Sequence, residues 1–408
     1  MALLSRLIQK FLKEGQLTLV HPDGRRETLG PGGGEAVTIR FADDKVVRDL
    51  MRNPRLMLGE AYMDGRIVFE DGKMIDLLSM VQRSNAFEDK EPGGASFVDK
   101  GKIAGLARWL RRNNPVKSKD NVAHHYDLGD DLYDLFLDPW RQYSCAYYEE
   151  PGQPLEEAQL AKLAHIAGKL HLREGDHVLD IGCGWGGMAR YLHKVAGVRV
   201  TGITLSEHQL TYARAKAVEE GVADKVDFQL VDYRKLEGQF DRIVTVGMFE
   251  HVGAAHYREF YDACRRLLKR DGVMLNHTIG RLGEAGSPDP FTDKWIFPGY
   301  HIPSLSQMCE ASEQARLMVS DVEILRLHYA HTLRAWLERV EAKKPEIERL
   351  YDERFYRMWE FYLGGAIVMF EHGGSCNYQV QYVRDRRALP ITRDYMAEAE
   401  ARYRAIAG

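Results

Sequence analysis

The sequence predicts an α/β fold, a doubly wound and mostly parallel sheet preceded by a small α+β domain. From about residue 155, strand-like and helix-like segments alternate with short connections, the pattern of parallel strands covered by helices. Residues 15–80 differ, because short strand-like runs there are separated by glycine- and proline-rich turns. We therefore expect one domain over residues 1–85, a linker with a basic amphipathic helix over 86–114, and a larger domain over 115–408.

The elements of both domains follow from the spacing of their apolar residues. In the small domain we predict strands at 16–21 and 37–41 and a helix at 76–81. In the larger domain the predicted strands are 177–182, 199–204, 226–230, 240–247 and 272–277. The predicted helices between them are 188–195, 207–220 and 256–268.

Residues 2–13 form the first predicted element, a short amphipathic helix. Its apolar residues recur at spacings of three and four, and Arg6, Lys10 and Lys13 lie on the other face. Such a helix lies in a membrane interface or packs on its own domain, and the sequence leaves both open. A second basic amphipathic segment at 102–112 favours the membrane, but no apolar stretch reaches the roughly 20 residues that a bilayer demands. We also expect no signal peptide, because those three cations interrupt the apolar residues.

Composition excludes several classes of protein. Lys and Arg number 56 against 60 Asp and Glu, so the strong basic excess of a nucleic-acid protein held by charge is missing. The balance is uneven, with 21 basic and 17 acidic side chains in residues 1–120 against 35 and 43 in the rest. The five cysteines are odd in number and form no CxxC pair, which favours reduced thiols in a cytoplasm. No cluster has the spacing of metal ligands, so we expect no metal.

The most informative string runs from Asp180 to Gly187 and reads DIGCGWGG. A strand ends in an acid, and a glycine turn then opens a helix, where Gly182, Gly184 and Gly186 let backbone approach a ligand closely. A dinucleotide site would carry an acid about 20 residues after its glycines. Here the acid comes first and the next strand ends in Thr-Leu-Ser, which favours adenosylmethionine over NAD.

Each part of that cofactor has candidate contacts. Asp180 would support its amino-acid moiety. The expected ribose contacts are Thr204, Leu205 and Gln209. Asp232 and Tyr233 follow the next strand, where adenine would bind, although a helix N-cap beside a surface aromatic explains them equally well.

Five motifs in this order resemble a known family. They are HHYDLG at 124–129, QYSCAY at 142–147, DIGCGWGG at 180–187, GMFEHVG at 247–253 and HTIG at 277–280. Together they are similar to the cyclopropane-fatty-acyl-phospholipid synthases, a family that includes the mycolic acid cyclopropane synthases. The resemblance covers about residues 115–370, and residues 1–90 resemble more loosely the small amino-terminal domain of the phospholipid-acting members. It implies a class I methyltransferase with a Rossmann-like sheet.

The resemblance also implies a reaction. A methyl group passes from adenosylmethionine to a cis double bond of an acyl chain, a carbocation forms, and loss of a proton from the new methyl closes a cyclopropane ring. Bound bicarbonate is the base in the family, and its ligands correspond here to Glu250, His277, Tyr329, Cys145 and the backbone N–H of Ile279. Tyr143 and Ser144 would touch the cofactor carboxylate.

Aromatic faces stabilise cations, so four further side chains are candidates for stabilising that carbocation. They are Tyr126, Phe249, Tyr300 and Tyr329. Taken singly, each such residue belongs more often to a core than to a site. The joint occurrence of the motifs, not any one aromatic residue, makes them candidates.

The late helix departs from the family pattern. Relatives often have a cysteine there followed by a Phe-Arg pair, whereas this chain has Ala366 and, after Phe370, Glu371. The shape of the acyl tunnel, and with it the product, is therefore left open between a ring and a methyl- or methylene-branched chain. A non-catalytic lipid-binding protein and a methyltransferase for a small soluble substrate are the alternatives of other classes.

The expected substrate is an unsaturated phospholipid acyl chain at a membrane surface. The expected location is cytoplasmic and peripheral on the inner membrane face, and the resemblance leaves a homodimer open. Acyl length, double-bond position and headgroup are not predicted.

Overall fold

The structure is a computed structural model and describes residues 2–89 and 129–407. Within those ranges the chain forms two compact units. The first comprises residues 2–89, 287–298 and 333–374, and the second comprises residues 129–286, 299–332 and 375–407. The predicted basic segment at 102–112 and the motif residues 124–128 lie outside the described residues.

The described strands and helices are numbered here in chain order. The strands are β1 (Gly15–Val20), β2 (Arg26–Gly32), β3 (Ala36–Phe41), β4 (Ile67–Asp71), β5 (His177–Ile181), β6 (Arg199–Thr204), β7 (Val226–Leu230), β8 (Phe240–Val246), β9 (Leu268–Arg281), β10 (Met318–Leu325) and β11 (Ser375–Val383). The helices are α1 (Ala2–Phe11), α2 (Lys45–Arg52), α3 (Pro54–Met63), α4 (Met74–Arg83), α5 (Asp130–Asp134), α6 (Leu155–Lys169), α7 (Gly187–Ala196), α8 (Glu207–Glu219), α9 (Tyr257–Leu267), α10 (Pro290–Trp295), α11 (Leu305–Gln314), α12 (His328–Ala342), α13 (Lys344–Leu350), α14 (Glu353–Glu371) and α15 (Asp394–Ala407).

The first unit contains a four-stranded sheet in the order β2-β1-β3-β4. β1 pairs antiparallel with β2 and parallel with β3, and β3 pairs antiparallel with β4. The predicted strands at 16–21 and 37–41 and the helix at 76–81 are confirmed as β1, β3 and α4. Helix α2 was not predicted, and it begins where the Asp43 carboxylate accepts the N–H groups of Lys45 and Val46.

Helix α1 packs most of its apolar face into the first unit. Leu12, just after the helix, is 5% exposed, and Leu4, Ile8 and Phe11 pack against the same core. Leu3 and Leu7 remain 60% and 36% exposed. The helix therefore serves chiefly as a packed element of its domain, with two leucines left on the surface.

Helix α14 also belongs to the first unit. A Cβ on Gly59 of α3 would come within 2.4 Å of the Phe291 ring and 2.7 Å of the Phe361 ring, so α3 packs closely on α10 and α14. At the end of α14, Glu371 accepts a hydrogen bond of 2.8 Å from Arg334 at the surface. Residues 287–298 and 333–374 thus share a unit with the amino-terminal sheet, while the functional boundaries at 85 and 115 stay a prediction.

The second unit is built on a seven-stranded sheet in the order β10-β11-β9-β8-β5-β6-β7. Neighbouring strands from β9 to β7 run parallel, and β11 runs antiparallel to both β9 and β10. The predicted doubly wound, mostly parallel sheet is confirmed. Strands β10 and β11 were not predicted, and β9 extends beyond the predicted 272–277 at both ends.

Strand order reverses at β5, which lies between β6 and β8. Segments that leave the carboxyl ends of these strands diverge to opposite sides, and ligands bind in the crevice so formed. The glycine string follows β5 and the Glu250 motif follows β8. Both therefore lie at the edge of the sheet where this fold binds its ligands.

Candidate active site

The glycine turn after β5 combines close packing with an opening. Gly182, Gly184 and Gly186 all have positive φ, at 78°, 56° and 79°, a conformation that favours glycine. A Cβ on Gly186 would come within 2.5 Å of the Phe228 ring, so this glycine is needed for packing. A Cβ on Gly184 would meet no described heavy atom within 4 Å, so the backbone there borders open space.

Asp180 places a buried carboxylate beside this turn. Its side chain is 2% exposed, and Oδ2 has no hydrogen-bond partner among the described residues. Burial raises the pKa of Asp180 to about 7, and the charge of Lys162 opposes that rise. A cationic ligand would therefore meet an acceptor that has not been satisfied from within the protein.

The three predicted ribose contacts lie together at the carboxyl end of β6. The Thr204 hydroxyl donates to Gln209 Oε1 at 3.0 Å and accepts from the Ser206 N–H at 3.1 Å. Ser206 caps α8 by accepting the Gln209 N–H at 3.3 Å, and Leu205 is half-buried between them. Their contact with ribose stays a prediction.

Asp232 and Tyr233 follow β7 in a turn. The Asp232 carboxylate accepts from Arg234 through Nε and through the backbone N–H, both at 2.9 Å. The Tyr233 ring packs on Phe260 with centroids 5.4 Å apart. No helix begins at Asp232 and Tyr233 is half-buried, so the alternative of an N-cap beside a surface aromatic is wrong. The adenine contact stays a prediction.

The loop that carries Tyr143 and Ser144 is held by a buried lysine. Lys162 Nζ donates to Ser144 Oγ at 3.0 Å and to Gln142 Oε1 at 2.5 Å. Gln159 Nε2 donates to the Ser144 carbonyl at 2.9 Å. A Cβ on Gly247 would lie 3.9 Å from Ser144 Cβ, so this loop borders the end of β8.

Tyr143 connects the same loop to the glycine turn through aromatic rings. Its ring centroid lies 5.3 Å from that of Tyr133, which in turn lies 4.9 Å from Trp185 in the turn. Edge-to-face pairs at such distances fix the relative positions of the segments that carry them. This chain of rings links Tyr143 to the glycine turn, while the contacts of Tyr143, Ser144 and the turn with a cofactor stay a prediction.

Lys162 and Gln159 were missed by the sequence analysis. Both lie on α6 and are fully buried among alanines and leucines, three residues apart and so on one side of the helix. Burial lowers the pKa of Lys162 to about 8, and the electrostatic effects of Asp138 and Cys145 oppose that fall. The sequence carries a signal for both residues, because two long polar side chains among the apolar residues of a helix need hydrogen-bond partners.

Glu250 lies in a single 3-10 turn, Phe249–His251, after β8. The side chain is 5% exposed, and its Oε1 accepts the Ile279 N–H at 2.6 Å. Its Oε2 has no hydrogen-bond partner among the described residues. Burial raises the pKa of Glu250 to about 7, even though the Ile279 N–H and the Thr278 side chain favour the ionised form.

His277 lies on β9, two residues before Ile279, and is 1% exposed. Its carbonyl accepts the Gly247 N–H at 2.9 Å, which ties β9 to the end of β8. The ring Nδ1 lies 3.1 Å from Gln379 Nε2, and Nε2 has no partner within the described ranges. Burial lowers the pKa of His277 well below its usual value, and Lys162 and Lys169 lower it further.

Ile279 was predicted to offer its N–H to a bound anion. In the structure that N–H donates to Glu250 Oε1 instead, so it orients the carboxyl group. A contact between this N–H and an anion would require the Glu250 bond to be shared or broken.

Cys145 and Tyr329 are brought to the same region by the first turn of α12. The Ala146 N–H donates to Thr332 Oγ1, and the Tyr148 N–H donates to His328 Nδ1, both at 3.0 Å. Tyr329, in that turn, is 7% exposed. The Cys145 thiol is fully buried, donates to the Ala146 carbonyl at 3.3 Å and has its pKa raised by burial. It is therefore a neutral donor and not a thiolate.

The remaining aromatic candidates for stabilising the carbocation differ in their surroundings. Phe249 is fully buried and stacks on Tyr257 at 4.4 Å, so it is a core residue. Tyr300 is 9% exposed, and Tyr126 lies outside the described residues. In the part of the chain that the structure describes, no group of three His, Cys, Asp or Glu side chains could hold a metal ion.

The residues at the carboxyl end of β5 fit adenosylmethionine. That molecule is cationic at its ammonium group and carries no phosphate. An unpartnered buried carboxylate oxygen on Asp180 and a glycine turn without lysine suit such a ligand.

Comparison with known proteins agrees with this fit. A family model described as mycolic acid cyclopropane synthetase matches residues 113–380, and one described as a domain of unknown function matches residues 4–91. The cyclopropane-fatty-acyl-phospholipid synthase of Escherichia coli K12 is 39% identical over 359 residues, 88% of this chain and 91% of that protein. A probable fatty acid methyltransferase of Pseudomonas putida is 35% identical over 390 residues, 92% of this chain and 94% of that protein.

A solved structure gives the same result. The crystal structure of mycolic acid cyclopropane synthase CmaA1 complexed with SAH and CTAB has 36% identity and a TM-score of 0.62. The match covers 65% of this chain and 97% of that one. The resemblance of the five motifs is thereby confirmed, and this chain belongs to the mycolic acid cyclopropane synthetase family of S-adenosylmethionine-dependent methyltransferases.

Proposed function

We propose that this chain transfers a methylene carbon to the cis double bond of an unsaturated phospholipid acyl chain and forms a cyclopropane ring, with bound bicarbonate as the general base. The observation that carries the proposal is a pair of buried atoms without partners among the described residues, Glu250 Oε2 and His277 Nε2. Buried polar atoms are usually paired in native proteins. Glu250 is bonded to the Ile279 N–H, and His277 lies two residues earlier on the same strand, so one ligand beside β9 would satisfy both atoms. The names of the Escherichia coli and Pseudomonas putida relatives support a fatty acyl substrate.

Bicarbonate matches this couple chemically. The ion has one O–H donor and acceptor oxygens, while Glu250 Oε2 can accept and a neutral His277 can donate. An ionised carboxylate alone would repel an anion, but the pKa of Glu250 near 7 lets the site and its ligand share a proton. Tyr329 and Cys145 are the further expected donors.

Bound adenosylmethionine supplies an electrophilic methyl carbon in this scheme. Asp180 would hold its ammonium group and Ser144 its carboxylate. Glu250 and His277 orient the base. The buried environment strengthens each of these interactions, because few water molecules compete for the same groups.

A second candidate is a methyl- or methylene-branched product that does not cyclise. The Pseudomonas putida relative, a probable fatty acid methyltransferase, matches 92% of this chain and favours it. The alanine at 366 and glutamate at 371 in α14 mark the departure from the family pattern noted above. The two products differ in the proton that the carbocation loses.

The membrane-facing part of the proposal rests on the first unit. Leu3 and Leu7 are exposed on α1 beside Arg6. On α2, Arg48 and Met51 are exposed next to Leu3 around one surface hollow, which Asp44 also lines. We call Leu3, Arg6, Leu7, Arg48 and Met51 the α1–α2 surface. Apolar side chains among cations suit anionic lipid, so we place the enzyme as a peripheral protein on the inner membrane face.

A homodimer stays a prediction. No helix in the described ranges is long and apolar enough to cross a bilayer.

One experiment separates these candidates. The purified protein is incubated with labelled adenosylmethionine and vesicles of monounsaturated phospholipid, and the fatty acids are analysed by mass spectrometry. A gain of one CH2 with loss of the olefin supports the ring, whereas retained unsaturation supports the branched product. Removal of bicarbonate from the buffer should abolish turnover while adenosylmethionine binding persists. The absence of any labelled lipid would overturn both.

A further inference from the structure

A chain of buried polar side chains leads away from His277 along β11. The burial pattern of this strand is continuous, yet Asn377, Gln379 and Gln381 alternate along it and so share one face. Gln379 is the direct cross-strand partner of His277 on β9. Its Nε2 lies 3.1 Å from His277 Nδ1, and its Oε1 lies 2.7 Å from Lys169 Nζ.

Lys169 determines which way the Gln379 amide points. An ammonium group has donors and no acceptor, so the amide atom that faces Lys169 must be the oxygen. The NH2 group of Gln379 must then face His277. Lys169 is 1% exposed and is held in turn by the carboxylate of Glu323.

Burial lowers the pKa of Lys169, and the carboxylate of Glu323 opposes that fall. Burial disfavours ionisation of this carboxyl, but the bonds from His165, at 2.7 Å, and from Lys169 outweigh it and hold the pKa at about 2. An ionised carboxylate beside Nζ favours the ammonium form. The direction of every hydrogen bond from Glu323 through Lys169 and Gln379 to His277 is therefore determined.

The last bond of this chain has a consequence for the histidine. Gln379 donates to Nδ1, so Nδ1 carries a lone pair and the single proton of a neutral imidazole lies on Nε2. Nε2 is the buried ring atom without a partner among the described residues.

We propose that Gln379, oriented by Lys169, is a positioning residue that fixes His277 as the Nε2–H tautomer and so makes it a hydrogen-bond donor to the anion in the site. This inference rests on the proposed function for the identity of the anion. It adds residues outside the five motifs of the resemblance. It also gives a role to Gln379, a polar side chain inside a fully buried strand.

The test reverses the polarity of the Gln379–His277 bond. The Gln379→Glu side chain has nearly the same shape. When it is ionised beside Lys169 it can accept a hydrogen bond from His277 but cannot donate one. It therefore draws a proton to Nδ1 of His277. The control is Gln381→Glu, on the same strand and equally buried, whose Nε2 donates to the Lys169 carbonyl at 2.5 Å and not to His277. Thermal melting of both variants reports the general cost of a buried glutamate.

The readout is the protonation of each ring nitrogen, measured by NMR of protein labelled with 15N-histidine. The His277 signals are identified by their loss in His277→Asn. We expect Nε2–H in the natural chain and in Gln381→Glu, and a proton on Nδ1 in Gln379→Glu. An unprotonated Nε2 in the natural chain, or an unprotonated Nδ1 in Gln379→Glu, would overturn the inference.

Turnover gives a second reading. Gln379→Glu should lower kcat about tenfold or more relative to Gln381→Glu, because a lone pair on Nε2 repels the anion. Equal kcat values in the two variants would contradict the proposal. If Gln379→Glu does not fold, Lys169→Met is the second variant, because loss of the ammonium group leaves the Gln379 amide free to turn. An unchanged His277 NMR spectrum in Lys169→Met would then count against the proposal. The spectrum requires neither lipid nor bicarbonate, so a failed vesicle assay overturns the proposed function alone.

Discussion

Glu250 and Ile279 are joined by a hydrogen bond of 2.6 Å, in which the Ile279 N–H donates to Oε1 of the carboxyl group. This bond fixes one carboxyl oxygen to the backbone of β9 and leaves Oε2 without a partner among the described residues. His277 on the same strand presents the second unpartnered atom. One strand therefore orients both groups that we expect to contact the base.

The first prediction concerns Glu250→Gln. The amide oxygen can keep the bond to Ile279, but an NH2 group replaces the acceptor Oε2 and cannot accept the O–H of bicarbonate. We expect kcat to fall by about a hundredfold or more, since a positioned acid–base group contributes on that scale. Binding of S-adenosylhomocysteine, measured by calorimetry, should stay within about threefold of the natural value.

The matched control is Glu259→Gln, an exposed glutamate on α9 that pairs with His256 at 3.0 Å. Its turnover should equal that of the natural chain. If Glu250→Gln turns over normally, the assignment of Glu250 to the anion site is wrong.

The second prediction is a pH dependence of cofactor binding. Burial raises the pKa of Asp180 to about 7, so its ionised fraction grows about tenfold between pH 6 and pH 8. Only the ionised form attracts the cofactor ammonium. We therefore expect the Kd for S-adenosylhomocysteine to fall about tenfold over that interval, as calorimetry at several pH values would measure.

Asp180→Asn should bind more weakly and lose most of this dependence. Asp224→Asn is the control, because its side chain is 71% exposed and lies outside the site. An Asp180→Asn profile that follows the natural one would show that another group titrates.

The strands of the parallel sheet could be predicted because buried parallel strands read as apolar runs. The motifs that end β5 and β8 could be predicted too, since acids and glycines there have few structural explanations. The full burial of strand β11 could not, because Gln379 and Gln381 give it the alternation of a half-exposed strand, while in the structure both side chains bond to Lys169 on α6. The hydrogen-bond partners of such residues are distant in sequence, so no local pattern shows that these positions are buried.

The third prediction tests Lys162, which the sequence analysis missed. Lys162→Met keeps the length of the side chain but removes its hydrogen bonds to Gln142 and Ser144. The Ser144 loop then loses an anchor, and we expect the Kd for S-adenosylhomocysteine to rise about tenfold.

The same change should also move a titration. The charge of Lys162 lowers the pKa of Asp180, so its removal should shift the midpoint of pH-dependent cofactor binding upward. A structural defect alone would weaken binding without moving the midpoint. Lys194→Met, at an exposed lysine on α7, should change neither quantity.

The fourth prediction concerns the α1–α2 surface. Deleting residues 2–13 would remove Leu12 and other residues that pack in the first unit, so it would unfold that unit as well as remove the surface. The double substitution Leu3→Ser with Leu7→Ser changes only leucines that are exposed. We expect partitioning onto vesicles of anionic phospholipid to fall about tenfold, because two apolar side chains no longer enter the interface.

Co-sedimentation with vesicles measures this partitioning, and the control is Val218→Ser with Leu327→Ser. Those side chains are 69% and 50% exposed in the second unit, so they match the loss of exposed apolar area. Arg6→Gln should weaken binding further at low salt and have little effect at high salt, since the attraction of a cation to anionic lipid is screened. Unchanged sedimentation of the leucine double variant would assign α1 to packing alone and place the lipid contact elsewhere on the protein.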